Sequence, residues 1–276
     1  MSETTGVTRS LDGTPIAWFR TGTGPSIVLV HGATADHTAW RTVIPRLSGD
    51  HTLVAIDRRG RGASGDTAPY AIGREYEDVA AVVDQVAEAT GAAVDVVGHS
   101  FGGRVGLGAA LLTPNLRRLV VYEGAPAPNG RSFHGDAVMA RLEAHAAASD
   151  NEALLADFLG DVVGMSPADL AAYRASATWP ARVEAAPTVI REMWAEAAED
   201  AGPERYGAIR IPVLQIVGGD SSPLFTDGTW ALDRLLPNGG VVVIPGARHA
   251  AHHTHPEAFV AAIREFLDGP LPFGHA

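Results

Sequence analysis

The stretch Val94 to Gly103, reading Val-Asp-Val-Val-Gly-His-Ser-Phe-Gly-Gly, limits the possible folds of this 276-residue chain more than any other. A short apolar run stops at Gly98-His99-Ser100-Phe101-Gly102, and a small-residue helical pattern takes over through Leu112. This order predicts a buried strand, a sharp turn and a helix in immediate succession. A residue without Cβ on either side of the serine permits unusual φ/ψ and a close approach of turn to helix. Ser100 Oγ would then project above the end of a strand. The N–H of Phe101 would sit at a helix N-terminus, where unpaired donors and the dipole favour negative charge.

The alternation of strand and helix extends along the chain. Two short alternating runs, Val7 to Ser10 and Ile16 to Arg20, flank the turn residues Asp12-Gly13 and predict an antiparallel edge hairpin. Ser26 to Val30 and Thr52 to Ile56 are continuous apolar runs, each closed by a glycine-containing loop, His31-Gly32-Ala33 and Asp57 to Gly65. Between them Trp40 to Leu47 has helical spacing that Pro45 interrupts. Glu75 to Thr90 carries Val79, Val82, Val83 and Val86 on one helical face and stops at Gly91. Leu116 to Tyr122, Pro212 to Val217 and Val241 to Ile244 are the later strands, and Pro256 to Leu267 the closing helix. Buried strands alternating with helices imply an α/β fold, a mostly parallel eight-stranded sheet with helices on both faces. Such sheets place their sites in the loops at the carboxyl ends of the strands.

From Gly124 to Arg210 the rhythm is helical only, with patterns over Ala137 to Ala148, Asn151 to Val163, Pro167 to Ala177 and Ala181 to Ala198. The expected division is a core of residues 1–124 and 211–276 and a helical cap of residues 125–210 lying over the site. Trp179 and Trp194 of that segment, with Thr34, are the tentative substrate contacts, although Trp179, Met165, Met193 and Trp194 also suit an ordinary cap core.

Composition removes whole classes of chemistry. There is no cysteine, so disulfides and thiolate nucleophiles are excluded, and all 21 basic residues are arginine, which excludes Schiff-base chemistry. A net charge of −11 without a basic cluster argues against nucleic acid or an anionic membrane as partner. No apolar run approaches 18 residues and the first 25 lack the pattern of a signal peptide, so a soluble, cytoplasmic protein is expected. The expected partners are a small-molecule substrate and, at most, a second copy of the chain. No cofactor is called for.

Serine needs a base within hydrogen-bond reach, oriented by an acid. Of the eleven histidines, His249 alone follows the last strand just beyond the end of the sheet, in Gly246-Ala247-Arg248-His249. His252, His253 and His255 behind it invite a metal reading, which lacks a supporting carboxylate apart from Glu257. For the acid, Gly218-Gly219-Asp220 favours Asp220, because the glycines allow a turn toward the His249 loop. Glu123, in Val121-Tyr122-Glu123-Gly124, is the alternative, read otherwise as binding backbone N–H groups of the following linker. Arg58 and Arg59 are read as salt-bridged around the Asp57 turn, and alternatively as holding a substrate carboxylate.

Together, His31-Gly32, Asp57-Arg58-Arg59-Gly60-x-Gly62-x-Ser64, Gly98-His99-Ser100-Phe101-Gly102-Gly103, Gly219-Asp220 and Gly246-Ala247-Arg248-His249 resemble the α/β-hydrolase superfamily over essentially the whole chain. The resemblance implies Ser100 as nucleophile, His249 as base, Asp220 as orienting acid, the Ala33 and Phe101 N–H groups as oxyanion hole, and a helical cap after the sixth strand. Two departures stand out. His31-Gly32-Ala33-Thr34 lacks the glycine run of some lipases and esterases, and the nucleophile is serine where haloalkane dehalogenases and epoxide hydrolases carry aspartate. The expected activity is hydrolysis of a small to medium, largely apolar ester, thioester or lactone through an acyl-enzyme. The alternatives are hydrolysis of a carbon–carbon bond in a ring-cleavage product and a non-catalytic small-molecule receptor.

Overall fold

A computed structural model describes residues 4–128, 135–198 and 201–270. Eight strands, β1 (Thr4–Arg9), β2 (Pro15–Gly22), β3 (Ser26–Val30), β4 (Thr52–Ile56), β5 (Val94–His99), β6 (Leu116–Tyr122), β7 (Val213–Gly218) and β8 (Gly239–Ile244), form one sheet. Their order is β1-β2-β4-β3-β5-β6-β7-β8. β1 pairs β2 and β2 pairs β4 antiparallel, and every other pairing is parallel.

Strand burial follows position. β3, β4 and β7 are buried at every residue, as expected for strands covered on both faces, whereas edge strand β8 is mostly half-buried. Alternate residues feed two cores. Val28, Val54, Val96 and Val121 pack under α2 (Ile72–Thr90) and α3 (Phe101–Ala109), which contribute Val79, Val83, Val105 and Leu107. Ile27, Leu53, Val97 and Val120 face the other way, against Leu47 of α1 (Ile44–Leu47) and Phe259, Ile263 and Phe266 of the last helix, Pro256–Asp268. Pro45 lies in the first turn of α1 and starts that helix, where the sequence suggested an interruption. A missing N–H costs nothing there.

Between β6 and β7 come α4 (Asp136–Ala147), α5 (Asn151–Asp157), α6 (Pro167–Arg174), α7 (Trp179–Ala185) and α8 (Thr188–Ala197). They share a third apolar core, including Leu142, Leu155, Phe158, Trp179, Val189 and Met193, against which Ala33 of the sheet's β3 loop packs. The single helix expected over Ala181 to Ala198 is two, because Pro187 cannot donate within a continuous helix. The sequence reading also missed α9 (Pro223–Asp233), despite a good start: Ser222 caps it through Leu224 N–H and Pro223 opens its first turn. α10 (Ala251–Thr254) and α11 (Pro256–Asp268) are the last helices of the described residues.

Candidate active site

Ser100 occupies the turn between β5 and α3 at φ 54° and ψ −130°, a conformation that L-residues rarely adopt and that costs of order 1–3 kcal/mol. Its surroundings hold it there. The Ser100 N–H donates to Tyr122 O at 2.8 Å, and its carbonyl accepts from Gly103 and Arg104 N–H at 2.8 and 3.2 Å. Two glycines are obligatory for this packing: a Cβ on Gly98 would lie 2.5 Å from Gly102 O, and one on Gly102 would overlap the Val30 and His31 carbonyls. Strand β5, helix α3 and the β3 loop thus meet at backbone contact, and the serine side chain is left half-buried at their junction.

His249 is fixed from several sides. His99 Nε2 lies 2.8 Å from the His249 carbonyl, and Phe225 of α9 stacks on the imidazole at 4.2 Å between ring centroids and 15° between planes. Its Nδ1 is 2.5 Å from Glu123 Oε2. Glu123, the first residue past β6, is buried and has φ 47°, so the chain turns sharply as it leaves the sheet. Its other oxygen accepts from Gly218 N–H at 2.7 Å and Ser221 Oγ–H at 2.5 Å.

This geometry corrects the expectation for Asp220. That residue is exposed, its backbone N–H bonds Ala247 O at 2.9 Å, and the Nδ1 position it was expected to fill belongs to Glu123. The Gly218-Gly219 turn aims Gly218 N–H and Ser221 Oγ at Glu123 rather than carrying a carboxylate to His249 itself. Glu123 accordingly binds the β7 loop, not the linker that follows it.

Ser100, Glu123 and His249 line a single narrow cavity of about 40 Å³, together with Ala33 and Phe101. Phe158, Val162, Val163 and Met193 close it from the inserted helices. The three tentative substrate contacts are absent from its walls. Thr34 is buried and its carbonyl accepts from Arg182 Nη1 at 2.9 Å, Trp179 lies in the helical core, and Trp194 is 55% exposed with Nε1 donating to Glu143. Helical periodicity explains the last: α8 turns Met193 toward the cavity, which leaves its neighbour Trp194 on another face.

Sequence reasoning missed two acids on the cavity wall, Glu192 and Glu196 of α8. Glu192 accepts through Oε1 from both Arg58 and Arg61, while Arg58 also forms a bidentate pair with Glu75 at 2.7 and 2.8 Å. Arg59 pairs bidentately with Asp78 at 2.7 Å and with Asp12 at 3.0 Å. Both arginines are therefore salt-bridged, though to these acids and not to Asp57, which accepts from His37 and Ala63 N–H. The Glu196 side chain is 16% exposed and sits 3.9 Å from Arg104; burial, reinforced by Glu192, pushes its carboxyl up to about 7 against the pull of Arg104.

His252, His253 and His255 do not converge with Glu257. His252 is buried between the rings of His99 and His253, tilted against each with centroids at 4.4 and 4.0 Å. Among the described residues, the one group of acids and histidine close enough to share a cation is Asp50, His51 and Asp268, and Arg264 already bonds both Asp50 oxygens. Nor is any helix of the described residues long and apolar enough to cross a membrane.

Residues 27–262 match the alpha/beta hydrolase family. The chain belongs to that family. Its relatives agree: it is 30% identical over 254 residues to 2-(acetamidomethylene)succinate hydrolase of Mesorhizobium japonicum, covering 90% of this chain and 89% of the relative. It is 28% identical to the pimeloyl-[acyl-carrier protein] methyl ester esterase of Edwardsiella ictaluri, over 91% of this chain and 97% of the relative. In structure it resembles an alpha/beta hydrolase from Sphaerobacter thermophilus, with a TM-score of 0.80 and 32% identity over 95% of this chain and 99% of that one. This member of the family is a hydrolase.

Proposed function

We propose that this hydrolase cleaves a small carboxylic ester, thioester or lactone through an acyl-enzyme on Ser100. The observation that carries the reading is the His249 Nδ1 contact with Glu123 in the cavity that also holds the strained Ser100 turn. Glu123 holds the Nδ1 proton and leaves Nε2 to take the Ser100 proton as Oγ attacks the carbonyl carbon. The Phe101 and Ala33 N–H groups receive the developing oxyanion. The imidazolium then protonates the leaving alcohol or thiol, and water, deprotonated by His249, releases the acid. Residues 125–210 act as the cap that limits water and sets the size of the acyl group, which the narrow cavity keeps small.

The esterase and succinate hydrolase relatives support hydrolysis at a carbonyl. Cleavage of a carbon–carbon bond in a ring-cleavage ketoacid is the less favoured reading, because Arg58 and Arg59, the arginines considered for holding such an acid, are already paired with carboxylates of the protein. The test is labelling by a fluorophosphonate, followed by a panel of p-nitrophenyl esters of increasing acyl length. The proposal requires stoichiometric label on Ser100 and turnover that declines with chain length; a folded protein that takes no label refutes it.

A further inference from the structure

The wall facing Ser100 carries polar atoms that the proposed mechanism does not use. Glu192 and Glu196 stand four residues apart on α8, hence on one helical face, and both line the catalytic cavity. Glu192 Oε1 is taken by Arg58 and Arg61, but its Oε2 is buried with no hydrogen-bond partner. Among the described residues Glu196 has its ion pair with Arg104 at 3.9 Å, beyond hydrogen-bond length. No arginine is among the described residues that line this cavity; Arg58, Arg61 and Arg104 approach the two acids from behind it. The remaining cap contribution is apolar.

We propose that Glu192 and Glu196 form an acceptor patch for a protonated amine carried by the acyl part of the substrate. The proposal rests on the hydrolase reading above and narrows its substrate class. A buried acceptor left without a donor costs about 1–3 kcal/mol, which a bound donor recovers. An ammonium has three N–H donors and no acceptor, so it can bridge Glu192 Oε2 and the Glu196 carboxylate with charge-assisted bonds. The N–H groups of Arg58, Arg61 and Arg104 that lack partners belong to residues outside the cavity lining, so a carboxylate in the same place would face Glu192 and Glu196 with no arginine on the wall, and an alkyl group would leave both acceptors unmet. The upward shift of the Glu196 carboxyl points the same way, since the site resists an unaccompanied negative charge.

Three nearly isosteric probes separate the cases: β-alanine ethyl ester, ethyl butyrate and monoethyl malonate, at pH 8. Binding is measured calorimetrically to the Ser100→Ala protein, so that turnover is not needed, and kcat/KM is measured on the unmodified enzyme. The amino ester should bind Ser100→Ala about tenfold or more tighter than ethyl butyrate, the range expected for hydrogen bonds to a charged group, and monoethyl malonate should bind weakest. In Ser100→Ala/Glu196→Gln the amino ester should lose that advantage. In the unmodified enzyme the amino-to-alkyl ratio of kcat/KM should fall when Glu196→Gln is introduced, a comparison in which the intrinsic reactivities of the esters cancel. Equal binding of amino and alkyl esters, or a preference unchanged by Glu196→Gln, overturns the inference. Preferential binding with no hydrolysis of any ester would instead overturn the proposed function and leave the amine site standing.

Discussion

Replacing Glu123 by glutamine changes one oxygen to an amide nitrogen, and the structure dictates which one. Oε1 receives two donors, Gly218 N–H and Ser221 Oγ–H, and only an oxygen can accept both. Keeping these bonds is worth about 1–1.5 kcal/mol each, so the amide group is biased by roughly 2–3 kcal/mol to present its NH₂ to His249. Nδ1 must then accept, the imidazole proton moves to Nε2, and the nitrogen meant to take the Ser100 proton already holds one. A base locked in the wrong tautomer loses on the order of 10⁴ in kcat while the fold is kept. Glu123→Gln should show that loss with a short p-nitrophenyl ester, and Asp220→Asn, at an exposed turn, less than about tenfold. Ser221→Ala removes one of the two donors, so in the Glu123→Gln background it should recover about tenfold in kcat, although alone it lowers activity. A larger loss in Asp220→Asn than in Glu123→Gln, or a further fall in the double variant, would refute this account.

Ser100→Ala and His249→Ala should each abolish nearly all turnover, and the double variant should be little worse, because groups acting as a unit are not additive; steady-state rates above background check this. Glu196 carries its own pH signature. Its folded value of about 7 lies above the ordinary 4.5, so its contribution to stability is complete below 4.5 and is lost as pH rises through 7, a swing of about 3 kcal/mol. Urea unfolding should therefore show Glu196→Gln gaining on the parent protein between pH 5 and 8, and parallel curves would contradict the buried acid. Gly102→Ala forces a Cβ onto the Val30 and His31 carbonyls, and thermal unfolding should reveal a loss of at least about 3 kcal/mol or failure to fold.

The sheet was legible because its interior strands are short, largely apolar runs with glycine in the loops that follow β3, β4 and β7, and the Ser100 turn because its glycines leave a local signature. Strand burial and turn chemistry depend on neighbours in the chain. The carboxylate beside His249 Nδ1 was not legible for the opposite reason: Asp220 and Glu123 both follow adjacent strands, and the choice between them depends on the φ 47° turn at Glu123, which no local pattern announces. A glycine pair nearby argued for Asp220, yet the same pair suits a loop that donates to a neighbouring carboxylate. Glu192 and Glu196 were hidden in an amphipathic helix, where acids are ordinarily solvated, and only tertiary contact with Arg58, Arg61 and Arg104 shows that they face inward. Their signal was the i, i+4 spacing beside Met193 on a helix whose apolar face was otherwise evident.

The bridge from Glu75 of α2 through Arg58 to Glu192 of α8 ties the inserted helices to the sheet's own cover by buried charges. Lifting α8 away would separate Glu192 from both Arg58 and Arg61, leaving Arg58 paired with Glu75 and Arg61 without a carboxylate. The insertion is thus anchored on that side by ion pairs. Exchanging the insertion for that of a relative would have to bring an acid to the position of Glu192, or Arg61 would lose its carboxylate partner.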